Sequence, residues 1–399
     1  MLQTKIGTTQ DLNALLTYRQ VNNRDSLDES AILSTVNWLG DFLDRHLRSE
    51  LTYTIATGQE ARRRYEYVQV GPGQGTHYLI EGGNPQELND YFEAQVPDAR
   101  YRTHIKVFLP TDQYIKAYSN QFNYRLNSAM PRGWRGKPGW QNFASRFSAV
   151  TYININKKTT DEDVWHRFNP FSLNMQDSLL VSLANTFRNT VFYNRSDPSF
   201  GLEYTLQQNQ QKILLTNGTD VRNIATQTVI VRYNLNKTVS SKFNISQFTR
   251  ESLSNYLSTK NFRIVGYDVS PEFSYQPTNA MRLTGTYLYT RKQNLMNNTE
   301  TREKGIFHEL GLETRVSQVS KRTLTGTLRY INVNYAGNEN SAIGYEMLNA
   351  LRPGNNLTWN FIMQQRLTNG LNISVNYDGR KPNGQEVLHM GRMQVSVLF

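Results

Sequence analysis

Hydrophobic and polar residues alternate along most of this chain with a period of two. The last nine residues, GRMQVSVLF, show the pattern clearly, because four apolar side chains fall on one face of a strand: Met393, Val395, Val397 and Phe399. Arg392, Gln394 and Ser396 fall on the other face. A period of two means that one face of the strand meets an apolar phase and the other face meets a polar one.

The same alternation recurs twelve times from about residue 143 onward, in segments of about ten residues. A tilted strand of about ten residues is long enough to cross a bilayer. The earlier part is less regular and predicts strands over 12–22, 30–42, 47–57, 61–71 and 101–126, the last bent at Pro110. The segment 30–42 fits a helix equally well. With the first eight residues as a further candidate, we count about 16–18 strands.

The connections between these segments alternate between long and short. The long connections are 157–180, 209–224, 249–261, 292–304, 335–355 and 379–389, and the short ones are 194–198, 236–240, 277–279, 317–321 and 368–370. Transmembrane barrels have short turns on one side of the membrane and longer loops on the other. A soluble β-sandwich has no reason to keep this order. The predicted fold is therefore all-β, a transmembrane antiparallel up-and-down β-barrel, complete or as part of a larger one.

We expect one continuous barrel domain, with N-terminal strands in 1–142, a long folded loop at 71–100, and C-terminal strands in 143–399. The opening residues have no charged segment followed by an apolar one, so they contain no signal peptide. Either the numbering starts after processing or the chain is the C-terminal part of a longer polypeptide. The strand-like opening favours the second explanation.

Composition agrees with a barrel. The mean hydropathy is −0.61, and no apolar run approaches the ~18 residues of a transmembrane helix. The chain has no cysteine, which excludes disulfides and thiolate metal sites. Aromatic residues toward the strand ends are expected to form a girdle at the level of the lipid headgroups. They are Tyr193, Tyr204, Tyr233, Tyr275, Tyr287, Tyr289, Tyr330, Tyr335, Trp359 and Tyr377.

The net charge is +11, from 44 Lys and Arg against 33 Asp and Glu. This excess favours anionic partners such as lipopolysaccharide phosphates or anionic solutes, and we expect no nucleic-acid partner. Six arginines are predicted on the inward faces of the strands: Arg188, Arg232, Arg282, Arg315, Arg329 and Arg366. They would attract anions into an open lumen, or would pair with a plug in a filled one.

One connection combines basic and aromatic residues: Arg132, Trp134, Arg135, Lys137 and Trp140. The alternation of long and short connections places it on the periplasmic side. An anchor at the membrane interface is the favoured interpretation, since such side chains have an apolar body and a polar end. Contact with peptidoglycan or with a partner protein is the alternative.

Two stretches carry a family resemblance. The run YVQVGPGQGTHYLIEGGNPQELNDYFEAQ, followed by RTHIKVFLPTDQYI, and the C-terminal run from ALRPGNN to VSVLF are similar to segments of large outer-membrane proteins of Bacteroidota. The terminal Phe399 resembles the C-terminal signature of bacterial outer-membrane barrels, which implies the barrel-assembly machinery as a partner. The resemblance covers about a quarter of the chain. It implies the C-terminal barrel region of a larger outer-membrane polypeptide.

In that family the 71–100 loop often resembles a calcium-binding run of the type D-x-N-x-D-G with a later Glu. Here Gly, Pro and Gln replace several of the oxygen ligands, and four carboxylates remain: Glu81, Glu87, Asp90 and Glu93. Calcium takes six to eight oxygen ligands. A solvated acidic loop is therefore favoured, with a calcium site as the weaker alternative, and we expect no other cofactor.

Motifs of enzymes are sparse. The chain has neither G-x-S-x-G nor H-E-x-x-H, and no Lys-Ser/Thr follows the glycines at 71, 73 and 75, so a phosphate-binding loop is excluded. One catalytic possibility is left, because His389 lies in the last predicted outer loop beside Glu386 and near Asp378.

The sequence therefore predicts a non-enzymatic barrel in the bacterial outer membrane, in contact with lipid and lipopolysaccharide. Its role is either that of a solute pore or that of a structural subunit of an assembly or secretion complex with other envelope proteins. The alternatives are the barrel of a TonB-dependent transporter, an outer-membrane hydrolase and a soluble β-rich binding protein.

Overall fold

The computed structural model describes residues 2–21, 29–94, 98–173, 179–215, 218–255, 260–296, 303–318, 321–367 and 370–397. These residues form nineteen strands in a single sheet. The strands are β1 (Leu2–Ile6), β2 (Gln10–Val21), β3 (Glu29–Phe42), β4 (Leu47–Gln69), β5 (His77–Leu79), β6 (Tyr91–Glu93), β7 (His104–Ala129), β8 (Phe147–Thr159), β9 (Leu180–Tyr193), β10 (Phe200–Leu215), β11 (Gly218–Asn234), β12 (Val239–Ser254), β13 (Phe262–Thr278), β14 (Met281–Asn294), β15 (Lys304–Gln318), β16 (Arg322–Ala336), β17 (Gly354–Arg366), β18 (Leu371–Lys381) and β19 (Leu388–Val397).

Three short α-helices lie in the connections of the described residues: α1 (Trp140–Ala144), α2 (Val164–Phe168) and α3 (Ala342–Leu348). Single 3₁₀ turns occupy Leu88–Asp90, Ala99–Tyr101 and Arg132–Trp134. Among the described residues, no helix is long and apolar enough to cross a membrane.

The sheet is an antiparallel meander. Each strand pairs with the next in sequence, except that β4 pairs with β7 across the small β5–β6 hairpin. β5 and β6 have three residues each, which leaves 17 strands in the main run. The predicted all-β, up-and-down antiparallel fold is confirmed, and the ambiguous segment 30–42 is strand β3.

Two predicted boundaries are wrong for the same reason. The segments 47–57 and 61–71 belong to one strand of 23 residues, β4, and most of the predicted long loop 209–224 is the ends of β10 and β11. The apolar alternation fades in these segments because polar residues occupy positions on both faces of the strands. Their backbone pairing continues nevertheless.

The predicted bend at Pro110 is a shift of register. Ala61 of β4 pairs with Tyr114, whereas Arg63 pairs with Pro110, so β7 has two extra residues at this place. Proline has no N–H to donate to the neighbouring strand, and an irregularity in the ladder accommodates it.

The connections fall into two sets at opposite ends of the sheet. One end, the short-turn end, has the connections 7–9, 43–46, 130–146, 194–199, 235–238, 279–280, 319–321 and 367–370. The other end, the long-loop end, includes 70–103, 160–179 and 337–353. The basic and aromatic connection 130–146 is the longest at the short-turn end, where the sequence predicted it.

Register puts the large apolar side chains of neighbouring strands on one face of the sheet, here called the apolar face. Leu312 of β15 lies opposite Leu328 of β16, which lies opposite Trp359 of β17. These side chains are largely uncovered: Leu310 is 58% exposed and Leu312 is 53% exposed. The other face, here called the polar face, carries the intervening residues.

Aromatic side chains form two rows on the apolar face. One row near the short-turn end includes Phe147, Tyr193, Phe200, Tyr233 and Tyr275, and a second row toward the long-loop end includes Tyr267, Tyr287, Tyr289, Tyr330, Trp359 and Tyr377. On β13 the rows are eight residues apart, about 26 Å along the strand before tilt. Tyr335 is an exception to the predicted girdle, because it lies on the polar face against α3.

β1 and β19 are the edges of the sheet, and no pairing joins them within the described residues. Both strands run from the long-loop end to the short-turn end. Direct pairing of these two edges would therefore be parallel. Closure with antiparallel pairing takes an odd number of strands beyond the 17 of the main run.

The close packing of β13 against its neighbours gives a test of the sheet. A Cβ at Gly266 would lie 2.7 Å from the carbonyl oxygen of Arg291 and 2.6 Å from the Phe248 ring, whereas a Cβ at Gly326 meets nothing within 4 Å. We expect Gly266→Ala to destabilise the folded protein by about 1–3 kcal/mol, as overpacking does, and Gly326→Ala to change little. Urea unfolding in lipid vesicles measures both, and equal midpoints would contradict the packing.

Candidate functional site on the polar face

The six predicted arginines all lie on the polar face. Alternation along each strand places them on the other face from the apolar side chains. Arg282 of β14 is the cross-strand partner of Arg315 of β15. Most of the six lie near the short-turn end, since Arg232, Arg282, Arg315 and Arg366 are within three residues of the strand ends there. Arg329 lies farther from that end.

Each of four arginines has a specific partner. Arg329 Nη1 is 3.5 Å from Glu309 Oε1, and Arg282 donates twice to Gln276 Oε1, at 2.7 and 3.2 Å. Arg366 donates to Asn372 Oδ1 at 3.3 Å and Arg232 to the carbonyl of Arg195 at 3.4 Å. Three of these four partners are neutral, so they orient the guanidinium groups without neutralising their charge.

Sequence reasoning missed several charges on this face near the short-turn end. Lys242 pairs with Arg232 on one side and with Glu272 on the other. By alternation along β10 and β15, Glu203 and Glu313 also lie on this face. The same alternation that identified the arginines would have found them. The cationic side chains outnumber the carboxylates, so this end of the polar face is electropositive.

Hydroxyl side chains form bridges across neighbouring strands of the polar face. The bridged pairs are Thr190 with Thr205 at 3.1 Å, Thr228 with Ser246 at 3.0 Å, and Ser274 with Thr284 at 3.0 Å. Such pairs satisfy one another while keeping further donor and acceptor capacity. The face therefore suits water or a polar solute.

An amide and carboxylate cluster lies farther from the short-turn end, on β17 and β18. The Nδ2 of Asn360 donates to Asn376 Oδ1 at 2.8 Å and to Asp378 Oδ1 at 2.6 Å. Asn376 donates in turn to Asp378 Oδ2 at 2.9 Å. A cavity of about 700 Å³ borders Asn360, Asp378, Arg329 and Arg380, and it presents both signs of charge.

Helix α3 packs onto the polar face at the long-loop end. Met347 is 0% exposed and Leu348 3% exposed. The helix covers two apolar clusters formed by strand residues: Phe248, Phe262 and Ile264 in one, and Phe307, Ile331 and Val333 in the other. The helix thus covers the apolar side chains of both clusters.

Polar contacts fix α3 at its two ends and on its flank. Ser341 caps the helix by accepting a hydrogen bond from the Gly344 N–H at 2.8 Å. Asn349, in a left-handed conformation with φ 52°, ends it. The buried Lys292 donates from Nζ to Asn349 Oδ1 at 3.0 Å, and Glu346 lies 3.7 Å from Arg250. The segment is therefore docked by specific contacts as well as by burial.

The basic and aromatic connection projects from the short-turn end. Trp134 and Trp140 pack edge to face with ring centroids 5.2 Å apart, and Phe143 joins the aromatic row through Phe147 at 5.2 Å. Arg135 and Lys137 are exposed. Arg132 lies in the 3₁₀ turn at the start of this connection.

The long connection between β4 and β7 is folded. Its β5–β6 hairpin packs on an aromatic group in which Tyr67 and Tyr91 stack at 4.2 Å and Tyr67 and His77 lie 5.1 Å apart. Burial, and then the charge of Lys106, lower the pKa of His77. A neutral ring at pH 7 suits this aromatic environment.

The structure does not assemble the four carboxylates into a metal site. Asp90 Oδ2 accepts the N–H of Asn84 at 2.8 Å and so shapes a turn, while Glu81, Glu87 and Glu93 are exposed. In the parts of the chain that the structure describes, no group of three His, Asp or Glu side chains is arranged to hold a metal ion.

The possible hydrolase residues lie on opposite faces of the sheet. His389 is on the apolar face, where Nδ1 lies 2.8 Å from the Tyr377 hydroxyl and the ring stacks on that of Tyr377. Asp378 is on the polar face with Asn360. A general base and its orienting carboxylate must be within hydrogen-bond reach, and these two are not.

The final strand has the predicted alternation. Met393, Val395 and Val397 are 67%, 50% and 47% exposed on the apolar face of β19. Phe399, the last residue of the predicted assembly signal, lies outside the described residues.

Comparison with known proteins gives only distant likenesses. No family model matches the chain, and no curated protein matches it. Among solved structures, the ferric-catecholate import receptor Fiu of E. coli K12 has a TM-score of 0.40 at 9% identity, over 95% of this chain and 62% of that one. The FrpB iron transporter of Neisseria meningitidis has a TM-score of 0.38 at 10% identity, over 94% of this chain and 62% of that one. The RagAB peptide transporter has a TM-score of 0.33 at 12% identity, over 98% and 50%. The chain thus spans about half to two thirds of the length of these structures.

Burial of one side of α3 provides a matched test of its docking. Met347 is 0% exposed and Tyr345, on the same helix, is 66% exposed. We expect Met347→Asp to release the segment 337–353, because an unpaired carboxylate is costly in an apolar site. Tyr345→Asp should leave it docked. Limited proteolysis and amide hydrogen exchange of this segment measure the effect, and equal behaviour of the two variants would show that α3 is not docked as described.

Proposed function

We propose that the chain forms the wall of a bacterial outer-membrane β-barrel whose polar face lines a lumen for polar, preferentially anionic, solutes. The observation that carries the proposal is the division of the sheet into two faces. One face has exposed apolar side chains between two aromatic rows, which is the arrangement of the apolar band and its flanking aromatic girdles in such barrels. The other carries arginines and cross-strand hydroxyl pairs.

The direction of the barrel follows from its connections. In outer-membrane barrels the short turns face the periplasm and the longer loops face the outside. In this arrangement the arginine-rich end is the periplasmic mouth and α3 lies at the outer entrance. Solutes would meet the mixed charges near Arg329 and Asp378 first and the electropositive end last.

Closure of the barrel is part of the proposal. Backbone groups at a sheet edge cannot remain unpaired in lipid, so both β1 and β19 need partners. Because these edges run in the same direction, we infer that an odd number of further antiparallel strands completes the wall. The resemblance to large outer-membrane proteins of Bacteroidota is consistent with a wall larger than the strands described here.

The role of α3 separates the two biological roles that the fold allows. A segment docked by Lys292 and Arg250 narrows the lumen. If solutes pass, the segment that contains α3 must undock from the polar face, or an open path must exist beside it. If the lumen stays closed, the protein is better described as a structural subunit of an envelope assembly. In either role the chain is non-enzymatic, and a TonB-dependent transporter barrel is an alternative within the first.

The arginine pair at the short-turn end gives the test of an anion-attracting pore. In planar bilayers we expect the purified protein to conduct with preference for chloride over potassium. Reversing the opposed pair with Arg282→Glu and Arg315→Glu should move the preference toward cations, because charged rings set the selectivity of pores. Lys137→Glu, an exposed change in the 130–146 connection, is the matched control.

Silence of the folded wild-type protein would be informative only with a second variant. If Met347→Asp then conducts, α3 is the closing element and the pore proposal holds. If both are silent, the pore proposal is wrong and the structural role is favoured. If the double variant conducts with unchanged selectivity, Arg282 and Arg315 do not line the lumen.

A further inference from the structure

The segment that contains α2 lies on the apolar face, unlike α3. Tyr53, Phe122 and Ile155 share the apolar face of β4, β7 and β8 by register. The α2 segment covers all three: the Tyr53 hydroxyl donates to the carbonyl of Phe168, and Phe171 packs edge to face on Phe122 at 5.0 Å. The segment is therefore outside the lumen, against the outer surface of the wall.

A buried lysine holds the segment in place. Lys157, only 2% exposed, donates from Nζ to the carbonyls of His166 and Asn169 at 2.8 Å each and of Ser172 at 3.2 Å. The His166 carbonyl lies in the last turn of α2, where helix geometry leaves it without an intrahelical partner, and the other two carbonyls follow the helix. A cation is favourable at that end of a helix.

Two further contacts fix the orientation of α2. Asp163 caps its first turn by accepting the N–H groups of Trp165 and His166, at 2.8 and 3.1 Å. The guanidinium of Arg167 lies over the ring of Tyr118, 3.9 Å from its centroid. The cap fixes the first turn of α2, and the contact between Arg167 and Tyr118 fixes the helix against β7. The exposure of its other side chains is therefore not a consequence of loose packing.

That exposed side is apolar. The large apolar side chains of the segment remain largely exposed: Val164, Trp165, Phe168 and Phe171 are 64%, 68%, 48% and 55% exposed. A contiguous apolar patch on a fixed segment marks a surface that meets another apolar phase or partner.

The position of the segment along the strands indicates which apolar phase its exposed side chains meet. Tyr53 and Phe122 are six and seven residues from the short-turn ends of their strands. Tyr287 and Trp359 belong to the second aromatic row, the one toward the long-loop end. They are six and seven residues from the short-turn ends of β14 and β17. The α2 segment therefore lies on the same face and at the same level as the second aromatic row. It continues that row over β4, β7 and β8.

We propose that the α2 segment is a membrane-interface anchor that inserts Val164, Trp165, Phe168 and Phe171 into the outer leaflet and is held at that level by Lys157. The proposal rests on the proposed function, since it needs the apolar face to be in lipid. It adds a part that strand alternation does not supply. Aromatic rings have an apolar body and, in Trp, a polar N–H, which suits the headgroup level.

The absence of cysteine from the chain makes a site-specific test straightforward. Single variants Trp165→Cys, Met393→Cys and Glu386→Cys are labelled with a nitrobenzoxadiazole fluorophore in phosphatidylcholine and phosphatidylglycerol vesicles. Met393 is on the apolar face of β19 and Glu386 is exposed in the loop before it. We expect the labels at 165 and 393 to lose emission with nitroxide lipids and to be protected from aqueous acrylamide. The label at 386 should show the reverse.

Lys157→Met in the Trp165→Cys background tests how the segment is held. We expect loss of the nitroxide quenching at 165 and a red shift of its emission, with the label at 393 unchanged in the corresponding variant. Full retention of quenching would overturn the role of Lys157.

The controls separate the two proposals. If position 165 behaves like 386 while 393 is quenched by lipid, the anchor is wrong and the barrel stands. If neither 165 nor 393 is quenched, the proposed function fails and the anchor fails with it.

Discussion

Backbone hydrogen bonding between neighbouring strands is the constraint on which the rest of this structure depends. A strand in lipid cannot leave its N–H and C=O groups unpaired, so every strand needs a neighbour on each side. The chain meets this requirement with a meander in which consecutive strands pair antiparallel through 17 strands. Within the 17 strands of the main run, β1 and β19 are the two that have a described partner on one side only. The direction of these two strands limits how the wall can close.

Once the backbone is satisfied by pairing, side chains are free to divide by face. Stability then does not need a thick core, and the buried clusters of the described residues occur only where a connection folds back onto the sheet. One such place is under α3 on the polar face, around Met347. Another is at the α2 segment on the apolar face, around Ile155 and Leu183. The two segments pack on opposite faces of the same sheet, α3 on the polar face and α2 on the apolar face.

Much of this architecture is readable from the sequence because alternation is a local property. The polar position of Arg315 and the exposed position of Val395 follow directly from a period of two. The strand ends at 209–224 give a weaker signal because polar residues occupy positions on both of their faces. The face of Tyr335 also follows from a period of two, because it is five residues after Tyr330 on β16, but its cover by α3 is a tertiary contact. Proximity in sequence was misleading for the possible hydrolase site: on neighbouring strands Asp378 pairs with Met390 and His389 pairs with Gly379, so the two side chains lie on opposite faces.

The central claim is that one face of the sheet meets lipid and the other meets water. Consecutive single-cysteine positions on β15, from Glu309 to Leu312, test it most directly through spin labels in lipid vesicles. We expect labels at Leu310 and Leu312 to be accessible to oxygen dissolved in lipid, and labels at Glu309 and Gly311 to be accessible to a water-soluble nickel chelate. Uniform aqueous accessibility at all four positions would contradict the account and would favour a soluble β-rich protein.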